Sequence, residues 1–211
     1  MNPACFKIVN LQQGTQVWLD WRKQGIGASD APTIMGENPW ESADELLCEK
    51  HEGRNYQNFA MARGHKLEPE ARDKYESKFG LKVQPSCLQS ITHSWLRASV
   101  DGLAVDHSVV VEIKCGIKTY RESVATKSVP RYYYGQLQHI LAVTNYTSID
   151  YWCYHPSLPA FFVRIERDSP YIGRLLEVEA EFWKTLQKKR GVFEQAEQRV
   201  HGEKRRQLRT I

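Results

Sequence analysis

One stretch, residues 99–114 with the sequence SVDGLAVDHSVVVEIK, constrains the fold more than any other. Three consecutive valines, 109–111, are typical of a strand that is buried on both faces. Because successive strand residues point to opposite faces, Glu112 and Lys114 should share one face of this strand. Asp101 is expected at the end of the preceding strand. The stretch therefore predicts two adjacent strands that bring two carboxylates and one ammonium group together.

This combination is typical of a metal-dependent nuclease. Two hard oxygen ligands suit Mg²⁺ or Mn²⁺, which polarises a phosphodiester and lowers the pKa of a bound water, and a lysine can orient that water. The alternative is that Asp101-Gly102 is an ordinary turn and that Glu112 and Lys114 form a charge pair on a solvated strand face. The buried valines favour the first interpretation, because the polar residues that follow a buried strand are expected to have partners inside the protein.

Length and composition indicate one compact domain. A chain of 211 residues with 41% hydrophobic residues can bury one sizeable core. We predict a single domain over residues 1–190 and a basic tail over residues 191–211. The odd number of scattered cysteines, without a C-x-x-C motif, argues against a disulfide framework and a zinc site, and predicts reduced thiols in a cytoplasmic protein. No apolar run resembles a secretion signal or a membrane span. The cysteines are Cys5, Cys48, Cys87, Cys115 and Cys153.

The positive charge is concentrated at the C-terminal end. The segment from Arg199 onward carries a net charge of +4, which equals the net charge of the whole chain. The rest of the chain is therefore close to neutral, and DNA binding would need a local groove with metal ions rather than bulk positive charge. The basic tail could add a salt-sensitive contact to nucleic acid. The alternative is that the tail is a disordered, solubilising end.

Hydrophobic periodicity and turn residues predict a three-layer α/β fold with a central mixed sheet flanked by helices. Ser29 is expected to cap a short helix that begins at Asp30 and to leave free N–H groups for an anion. Ser42 and Glu45 have the spacing of a capping box. The predicted helices are 16–23, 42–52, 58–79, 131–143 and 171–189, and the predicted strands are 83–89, 96–100, 109–114, 148–154 and 161–165.

Three further features point to the same site. Glu68 lies four residues after a glycine in the helix 58–79, which would let that helix approach the strand of Asp101. Gln136 is a neutral amide able to hold a water, a phosphate or a base edge. Gln138 lies about 200° around the helix from Gln136, so only one of the two is expected at the site. Arg22 and Ser29 suit a phosphate. The alternatives are that Glu68 and Gln136 are solvated helix positions and that Arg22 pairs with Asp20 or Asp30.

The histidines are not predicted to bind metal. The residues His93, His107, His139 and His155 lack metal-ligand spacing and are interpreted as structural or surface residues.

The order of the motifs resembles the YqaJ-like viral recombinase family. These motifs are W-x-x-x-R (18–22), G-A-S-D (27–30), R-G-x-x-x-E-P-E-A (63–71), S-V-D-G (99–102), E-I-K-C (112–115) and Q-L-Q-H (136–139). The family includes the phage lambda exonuclease and belongs to the PD-(D/E)xK nuclease superfamily. The resemblance spans about residues 16–189. It implies a restriction-endonuclease-like fold and a 5′-to-3′ exonuclease that digests one strand of linear double-stranded DNA, leaving a 3′ overhang for single-strand annealing.

The resemblance also implies roles for individual residues. Two Mg²⁺ ions are implied. Asp101, Glu112 and the main-chain carbonyl of Ile113 would hold the first ion, and Glu68 would lie near the second. Mn²⁺ could replace Mg²⁺. Lys114 and Gln136 would position the attacking water. The 5′-phosphate would be received by Arg22, Ser29 and Ser99, with Lys118 or Arg121 as a further cation. Val100 stands where the superfamily name indicates proline.

The family further implies a homotrimeric ring around double-stranded DNA, a single-strand annealing partner, and a phage- or prophage-encoded protein in the bacterial cytoplasm. Two alternatives remain. A PD-(D/E)xK endonuclease of restriction or resolvase type would use Asp101, Glu112 and Lys114 but would not need a pocket for an end phosphate. A non-catalytic DNA-binding or assembly protein would bind DNA without Mg²⁺ and without degrading it.

Overall fold

The computed structural model describes residues 5–52 and 59–207, and the side chains of residues 5–52 and 66–191. The strands are β1 (Phe6–Val9), β2 (Ile26–Gly27), β3 (Val83–Ser90), β4 (Leu96–Ala104), β5 (Val110–Lys114), β6 (Ser148–His155) and β7 (Leu158–Glu166). The helices are α1 (Gln16–Lys23), α2 (Ala31–Ile34), α3 (Ala43–Glu52), α4 (Phe59–Phe79), α5 (Ile117–Thr126), α6 (Arg131–Thr144) and α7 (Ser169–Gln207), with a 3-10 turn at Ala28–Asp30.

The strands form one mixed sheet in the order β1-β3-β4-β5-β6-β7. The β5–β6 pair is parallel, and the other neighbours in this order are antiparallel. In addition, β2 pairs in parallel with the start of β4, at Leu96 and Arg97, whereas β5 pairs with β4 further along, at Gly102 and Leu103. Because β3 occupies the other edge of β4, β2 and β5 share one edge, and residues 98–101 lie between them. This fork in the sheet is where Ser99 and Asp101 are found.

A β-bulge in β4 shapes the fork. Between two paired positions β3 advances from Gln84 to Ser86, while β4 runs from Leu103 back to Val100 and so contains one extra residue. A bulge of this kind bends a strand and redirects a side chain. The expectation that Asp101 ends its strand is therefore wrong, because the strand continues through the bulge to Ala104.

Helices cover both faces of the sheet. On one face, Val110 of β5 packs with Leu137 and Ile140 of α6 and with Ile172 of α7. On the other face, Val111 and Ile113 of β5 pack with Ala71 and Tyr75 of α4. The alternation predicted for β5 and the three-layer α/β arrangement with a central mixed sheet are both confirmed. A third cluster joins α2, α3 and α7 beside the sheet, through Ile34, Leu46, Leu47, Phe182 and Leu186.

The predicted helices and strands are present, with ends that shift by a few residues at most, except that α7 extends well beyond the predicted end at residue 189. The sequence analysis missed β1, β2 and α5. The capping box at the start of α3 is confirmed, since the Glu45 carboxylate accepts from the Ser42 N–H at 2.8 Å and Ser42 Oγ accepts from the Glu45 N–H at 3.3 Å. Ser29 does not cap a helix, because it lies inside the 3-10 turn.

The predicted tail is only partly described. The backbone of helix α7 continues across the predicted boundary at residue 190 and ends at Gln207. The side chains from residue 192 onward and all of residues 208–211 lie outside the described residues. The division into a domain and a tail stays a prediction. Arg63 and Gly64 of the R-G-x-x-x-E-P-E-A motif also fall outside the described side chains. Within the described part of the chain, no helix combines the length and apolar character needed to span a membrane.

Candidate active site

Glu112, Lys114 and Gln136 form a closed hydrogen-bonded group between β5 and α6. Lys114 Nζ and Gln136 Nε2 both donate to Glu112 Oε1, each at 2.6 Å. Lys114 Nζ also lies 3.2 Å from Gln136 Oε1. The Glu112 side chain is only 3% exposed, so these contacts are made largely away from water. The group forms because β5 presents Glu112 and Lys114 on the face that α6 covers, as the alternation predicts.

Asp101 lies beside this group at the bulge in β4. Its Oδ2 accepts a hydrogen bond from the Ile113 backbone N–H at 2.7 Å, which ties the carboxylate to β5. Burial and the nearby carboxylates of Glu112 and Glu68 raise the pKa of Asp101 well above its usual range, against the opposing effects of Lys114 and the Ile113 N–H. The ionisation of Asp101 is therefore opposed at this position, and Lys114 offsets the nearby carboxylates only in part.

Glu68 reaches the site from α4 with the help of Arg72. Arg72 pairs with the Glu68 carboxylate one helical turn away, and its Nε donates to the main-chain carbonyl of Asp101 at 2.9 Å. Arg72 thus links helix α4 to the bulge in β4. The helix approaches the strand of Asp101, as the sequence analysis expected. Glu68 also contributes to the raised pKa of Asp101, which places the two carboxylates within electrostatic reach.

The residues present fit a hard divalent cation. Glu112 Oε2 is buried and has no hydrogen-bond partner, although a buried carboxylate oxygen normally has one. A cation bound there, with the carboxylate of Asp101 nearby, would supply the missing partner and offset the excess negative charge. Among the described side chains, no group of three or more His, Cys, Asp or Glu residues has the geometry of a complete metal site. A cation would therefore also need main-chain or water oxygens, and the Ile113 carbonyl is the expected main-chain ligand.

A second polar cluster consists of Trp18, Arg22, Ser29 and Ser99, and we call it the phosphate pocket after the role that the sequence analysis predicts for three of these residues. Arg22 Nη2 donates to Ser29 Oγ at 2.7 Å, and its guanidinium group lies 4.8 Å from the centre of the Trp18 ring. Trp18 Nε1 donates to Ser99 Oγ at 2.8 Å. The tryptophan thus joins the two serines and the arginine that the sequence analysis assigned to one phosphate.

Arg22 hydrogen-bonds to Ser29 rather than to Asp20 or Asp30, which were its alternative partners. Asp20 pairs with Lys23 at 3.6 Å, and Asp30 pairs with Lys50 at 2.6 Å. Burial opposes ionisation of Asp30, but Lys50 and then Arg22 outweigh it, so that its pKa is lowered. Arg22 therefore acts on Asp30 through space while its guanidinium group donates to Ser29.

The two clusters meet on one strand. Ser99 belongs to the phosphate pocket. Asp101 belongs to the set of carboxylates that we call the carboxylate group, namely Glu68, Asp101 and Glu112. Both Ser99 and Asp101 lie in β4 where the sheet forks. Two strand residues span roughly 7 Å, so the two clusters lie close together. The remaining predicted cations, Lys118 and Arg121, are exposed on α5, and no described contact brings either of them to the two clusters.

Sequence reasoning did not assign three side chains that organise the site. Trp18 lies in the quoted W-x-x-x-R motif, and Arg72 directly follows the motif that contains Glu68. The four-residue spacing of Glu68 and Arg72 on a helix is the signal that could have identified their pair. Tyr133 lies under Lys114, whose Nζ is 4.4 Å from the ring centre. Gln138 points elsewhere, as expected, since its amide bonds the Glu166 carbonyl and the Asp168 N–H at the start of α7.

Comparison with protein families agrees with the motif order. The model of the YqaJ-like viral recombinase domain matches residues 17–147. A protein of Bacillus subtilis (strain 168), described as uncharacterized protein YqaJ, is 28% identical over 182 residues, which are 82% of this chain and 57% of that protein. The chain thus spans little more than half the length of this relative.

Solved structures share the fold. An alkaline exonuclease from Laribacter hongkongensis, LHK-Exo, superposes with a TM-score of 0.76 at 28% identity and covers 88% of this chain and 100% of its own. The same values hold for LHK-Exo in complex with dAMP. A phage-related exonuclease from Haemophilus somnus 129PT matches with a TM-score of 0.57 at 15% identity, over 82% of this chain and 96% of its own, which shows the fold alone. The sheet and its helices have the PD-(D/E)xK architecture.

Proposed function

The chain belongs to the YqaJ-like viral recombinase family, and we propose on that basis that it is a 5′-to-3′ exonuclease. It digests one strand of linear double-stranded DNA and leaves a 3′ single-stranded overhang for phage-type recombination by strand annealing. The likeness to an alkaline exonuclease over 88% of the chain supports a nuclease. The finer activity depends on the residues of the candidate site.

One observation carries the proposal: Ser99 and Asp101 lie two residues apart on β4. A phosphate bound by the pocket would therefore place the next phosphodiester of the same strand at the carboxylate group. That arrangement selects the bond next to a strand end. An endonuclease would have no use for the first of these two positions.

The carboxylate group performs the cleavage. Asp101, Glu112 and the Ile113 carbonyl would hold one Mg²⁺, with Glu68 near a second, and Mn²⁺ could replace either ion. When bound, the metal supplies charge for the phosphodiester and lowers the pKa of a water. Lys114 and Gln136, which already donate to Glu112, orient that water and stabilise negative charge on the phosphate.

The phosphate pocket selects the end. The Arg22 guanidinium group provides a fixed set of donors that match phosphate oxygens. The hydroxyl groups of Ser29 and Ser99 add donors on either side of it, once they exchange their present partners for the phosphate. Lys118 or Arg121 on α5 would supply a further cation. DNA that carries a 5′-phosphate is accordingly the preferred substrate.

The assembly that suits this function is a homotrimeric ring. A ring that encloses DNA keeps the enzyme on its substrate without a strongly basic surface, and the chain outside its C-terminal segment is close to neutral. A single-strand annealing protein would then receive the 3′ overhang. Both partners are proposed from the family.

The experiment that tests the function compares three forms of one DNA sequence. Linear duplex with 5′-phosphate ends, the same duplex with 5′-hydroxyl ends, and the closed circle are each incubated with the protein in Mg²⁺ or in EDTA. We expect Mg²⁺-dependent loss of one strand, fastest from phosphorylated ends, and an intact circle. Cutting of the circle would show an endonuclease instead, and binding without any degradation would show a non-catalytic protein.

A further inference from the structure

Trp40 is the most exposed of the large apolar side chains among the described residues. In the loop between α2 and α3 its side chain is 73% exposed. Tryptophan is normally buried or engaged with a partner, because its large ring has much apolar surface to remove from water. An exposed indole near a candidate active site is therefore expected to bind a ligand.

The backbone under this indole is held in place. The Trp40 N–H donates to Asn38 Oδ1 at 3.0 Å, and the Asn38 amide donates to Thr33 Oγ1 at 2.8 Å. Thr33 is buried and also bonds the Glu41 carboxylate at 3.1 Å. The exposure of Trp40 is thus built into an ordered loop. A ring that is positioned in advance loses little conformational freedom when it binds.

A row of aromatic rings connects Trp40 with the candidate active site. Trp40 meets the ring of Tyr132 edge to face, with centres 4.8 Å apart, and Tyr132 lies 4.7 Å from Tyr133. Lys114 Nζ stands 4.4 Å from the centre of the Tyr133 ring. Tyr132 is fixed by its hydroxyl group, which donates to Glu122 of α5 at 2.7 Å. The row therefore begins at the proposed catalytic lysine and ends at the exposed indole.

The position of the row on α6 also links it to catalysis. Tyr132 and Tyr133 precede Gln136 by one helical turn, so all three residues lie on the same side of the helix. Arg131, the first residue of α6, lies 3.7 Å from the Glu37 carboxylate, and its side chain is 85% exposed. Lys118 is exposed on α5, one turn before Glu122. Exposed cations on α5 and α6 thus accompany an aromatic surface, a combination that fits a nucleic acid strand better than an apolar protein segment.

We propose that Trp40 and Tyr132 form a stacking surface for a nucleobase of the DNA that enters the candidate active site. Inside a duplex both faces of each base are covered, so only a terminal or unpaired base offers a face to an indole. Stacking of this kind accepts every base, because every base has a π-face. The inference rests on the proposed function and extends it, since it assigns the contact that recognises a free base rather than an end phosphate.

The test measures binding without cleavage. Fluorescence anisotropy in EDTA gives the affinity of the full chain for a labelled single-stranded oligonucleotide, for wild type, Trp40→Ala and Trp40→Phe. We expect Trp40→Ala to weaken binding roughly tenfold, the effect of losing one stacked base, and Trp40→Phe to retain most of the affinity. Val105→Ala is the matched control, because Val105 is also 67% exposed and lies in the turn between β4 and β5, and it should leave binding unchanged.

A second DNA separates stacking from general electrostatic attraction. A single strand of the same length made of abasic nucleotides has the same backbone charge but no bases, so Trp40→Ala should bind it as wild type does. Wild-type affinity of Trp40→Ala for the single strand that carries bases would overturn the stacking surface and leave the indole to a protein contact. An equal loss on both DNAs would overturn it too, since it would show a contact to the backbone.

The outcome does not depend on the nuclease activity. If the wild-type protein degrades no DNA but binds the single strand through Trp40, the proposed function fails and the stacking surface stands. If the protein degrades 5′-phosphorylated duplex and Trp40→Ala binds and degrades as wild type does, only the stacking surface fails. Circular dichroism of each variant verifies that the fold is intact.

Discussion

At the scale of single residues, the site is defined by an excess of carboxylates over cations. Glu68 and Glu112 both act on the buried carboxylate of Asp101, and Lys114 is the cation that bonds Glu112 directly. Burial would lower the pKa of Lys114, but Glu112 and its neighbours outweigh it and raise the pKa, so the lysine stays protonated. A permanently charged donor is suited to orienting water and stabilising a phosphate, but not to accepting a proton.

Replacing Lys114 by alanine should therefore affect turnover far more than binding. Removal of one charged donor that acts in the transition state costs roughly two to three orders of magnitude in rate. Single-turnover degradation of 5′-phosphorylated duplex measures the rate, and anisotropy measures the affinity. Lys82→Ala is the control, because Lys82 pairs with Glu76 at the surface with its side chain 81% exposed. Turnover like that of wild type in Lys114→Ala would remove this lysine from the mechanism.

Arg22→Ala tests the phosphate pocket. Hydrogen bonds to charged groups contribute about 1.5–3 kcal/mol, so the variant should lose roughly ten- to a hundredfold in the use of 5′-phosphorylated ends. Ends with a 5′-hydroxyl group should be degraded as slowly as before, and the preference between the two ends should disappear. Lys23→Ala, which removes a neighbouring cation paired with Asp20, is the control. Equal losses on both kinds of end would contradict the pocket.

Several residues of the candidate site could be placed from the sequence because their geometry is local. The two-residue period of a strand puts Glu112 and Lys114 on one face, and motif order joined them to Asp101 and Gln136. The contacts of Trp18 with Ser99 and of Tyr133 with Lys114 join residues far apart in the chain. Such contacts depend on tertiary packing, which no local pattern encodes.

At the scale of secondary structure elements, the bulge in β4 is the feature that the sequence analysis did not predict. An Asp-Gly pair is a common turn signal, and it suggested that the strand ends there. In the sheet, Gly102 lies where a Cβ atom would come within 2.6 Å of Val111 Cγ1 and 2.8 Å of Val83 Cγ2. The glycine therefore allows β4 to pack closely against its neighbours, a requirement that only the assembled sheet reveals.

Gly102→Ala should accordingly destabilise the sheet. Overpacking of a core usually costs about 1–3 kcal/mol in the free energy of unfolding, and the displacement of neighbouring Asp101 should also reduce the rate of DNA degradation. Urea denaturation measures the stability. Gly173→Ala is the control, since a Cβ at this exposed position of α7 meets nothing within 4 Å and should be neutral or stabilise the helix. Equal stability of the two variants would contradict this account of the bulge.

Three elements meet at the buried pair of His139 and Glu179. His139 Nδ1 lies 2.7 Å from the Glu179 carboxylate of α7, and Nε2 lies 2.9 Å from the Arg97 carbonyl of β4. Burial would lower the pKa of His139, but Glu179 and the Arg97 carbonyl outweigh it, with Asp30 assisting, and raise the pKa. Burial likewise raises the pKa of Glu179, against His139 and Lys50. The folded protein thus holds protons here more firmly than the unfolded chain does.

The stability of the fold should therefore depend on pH through this pair. An unfolded histidine loses its proton near pH 6.5. The contribution of His139 is fully present below that pH and is lost as the pH rises through its raised folded pKa. We expect the free energy of unfolding to fall above about pH 6.5 in wild type and to fall less steeply in the double variant His139→Asn, Glu179→Gln. If the double variant does not fold, NMR titration of His139 in wild type decides, and a neutral ring just above pH 6.5 would contradict the prediction.

At the scale of the whole molecule, one sheet edge organises both candidate clusters. Because β2 and β5 pair with different ends of β4, the phosphate pocket forms beside β2 and the carboxylate group forms beside β5. The exposed aromatic row extends the same region along α6. DNA that contacts the two clusters and the aromatic row would lie along the fork in the sheet. A ring of three copies around this DNA would keep the strand end at the fork.

The proposed ring predicts two different responses to salt. Loading onto DNA depends on electrostatic attraction and should weaken as the salt concentration rises. Once DNA is enclosed, the link is topological and salt should not release it. The protein is loaded in EDTA on labelled linear duplex with 5′-phosphate ends, and Mg²⁺ is then added together with salt and excess unlabelled duplex. We expect the loaded strands to be degraded over long distances, whereas salt and competitor present before loading should prevent degradation. If degradation instead stops as soon as competitor is added, the enzyme leaves its substrate after few cleavages and does not enclose it.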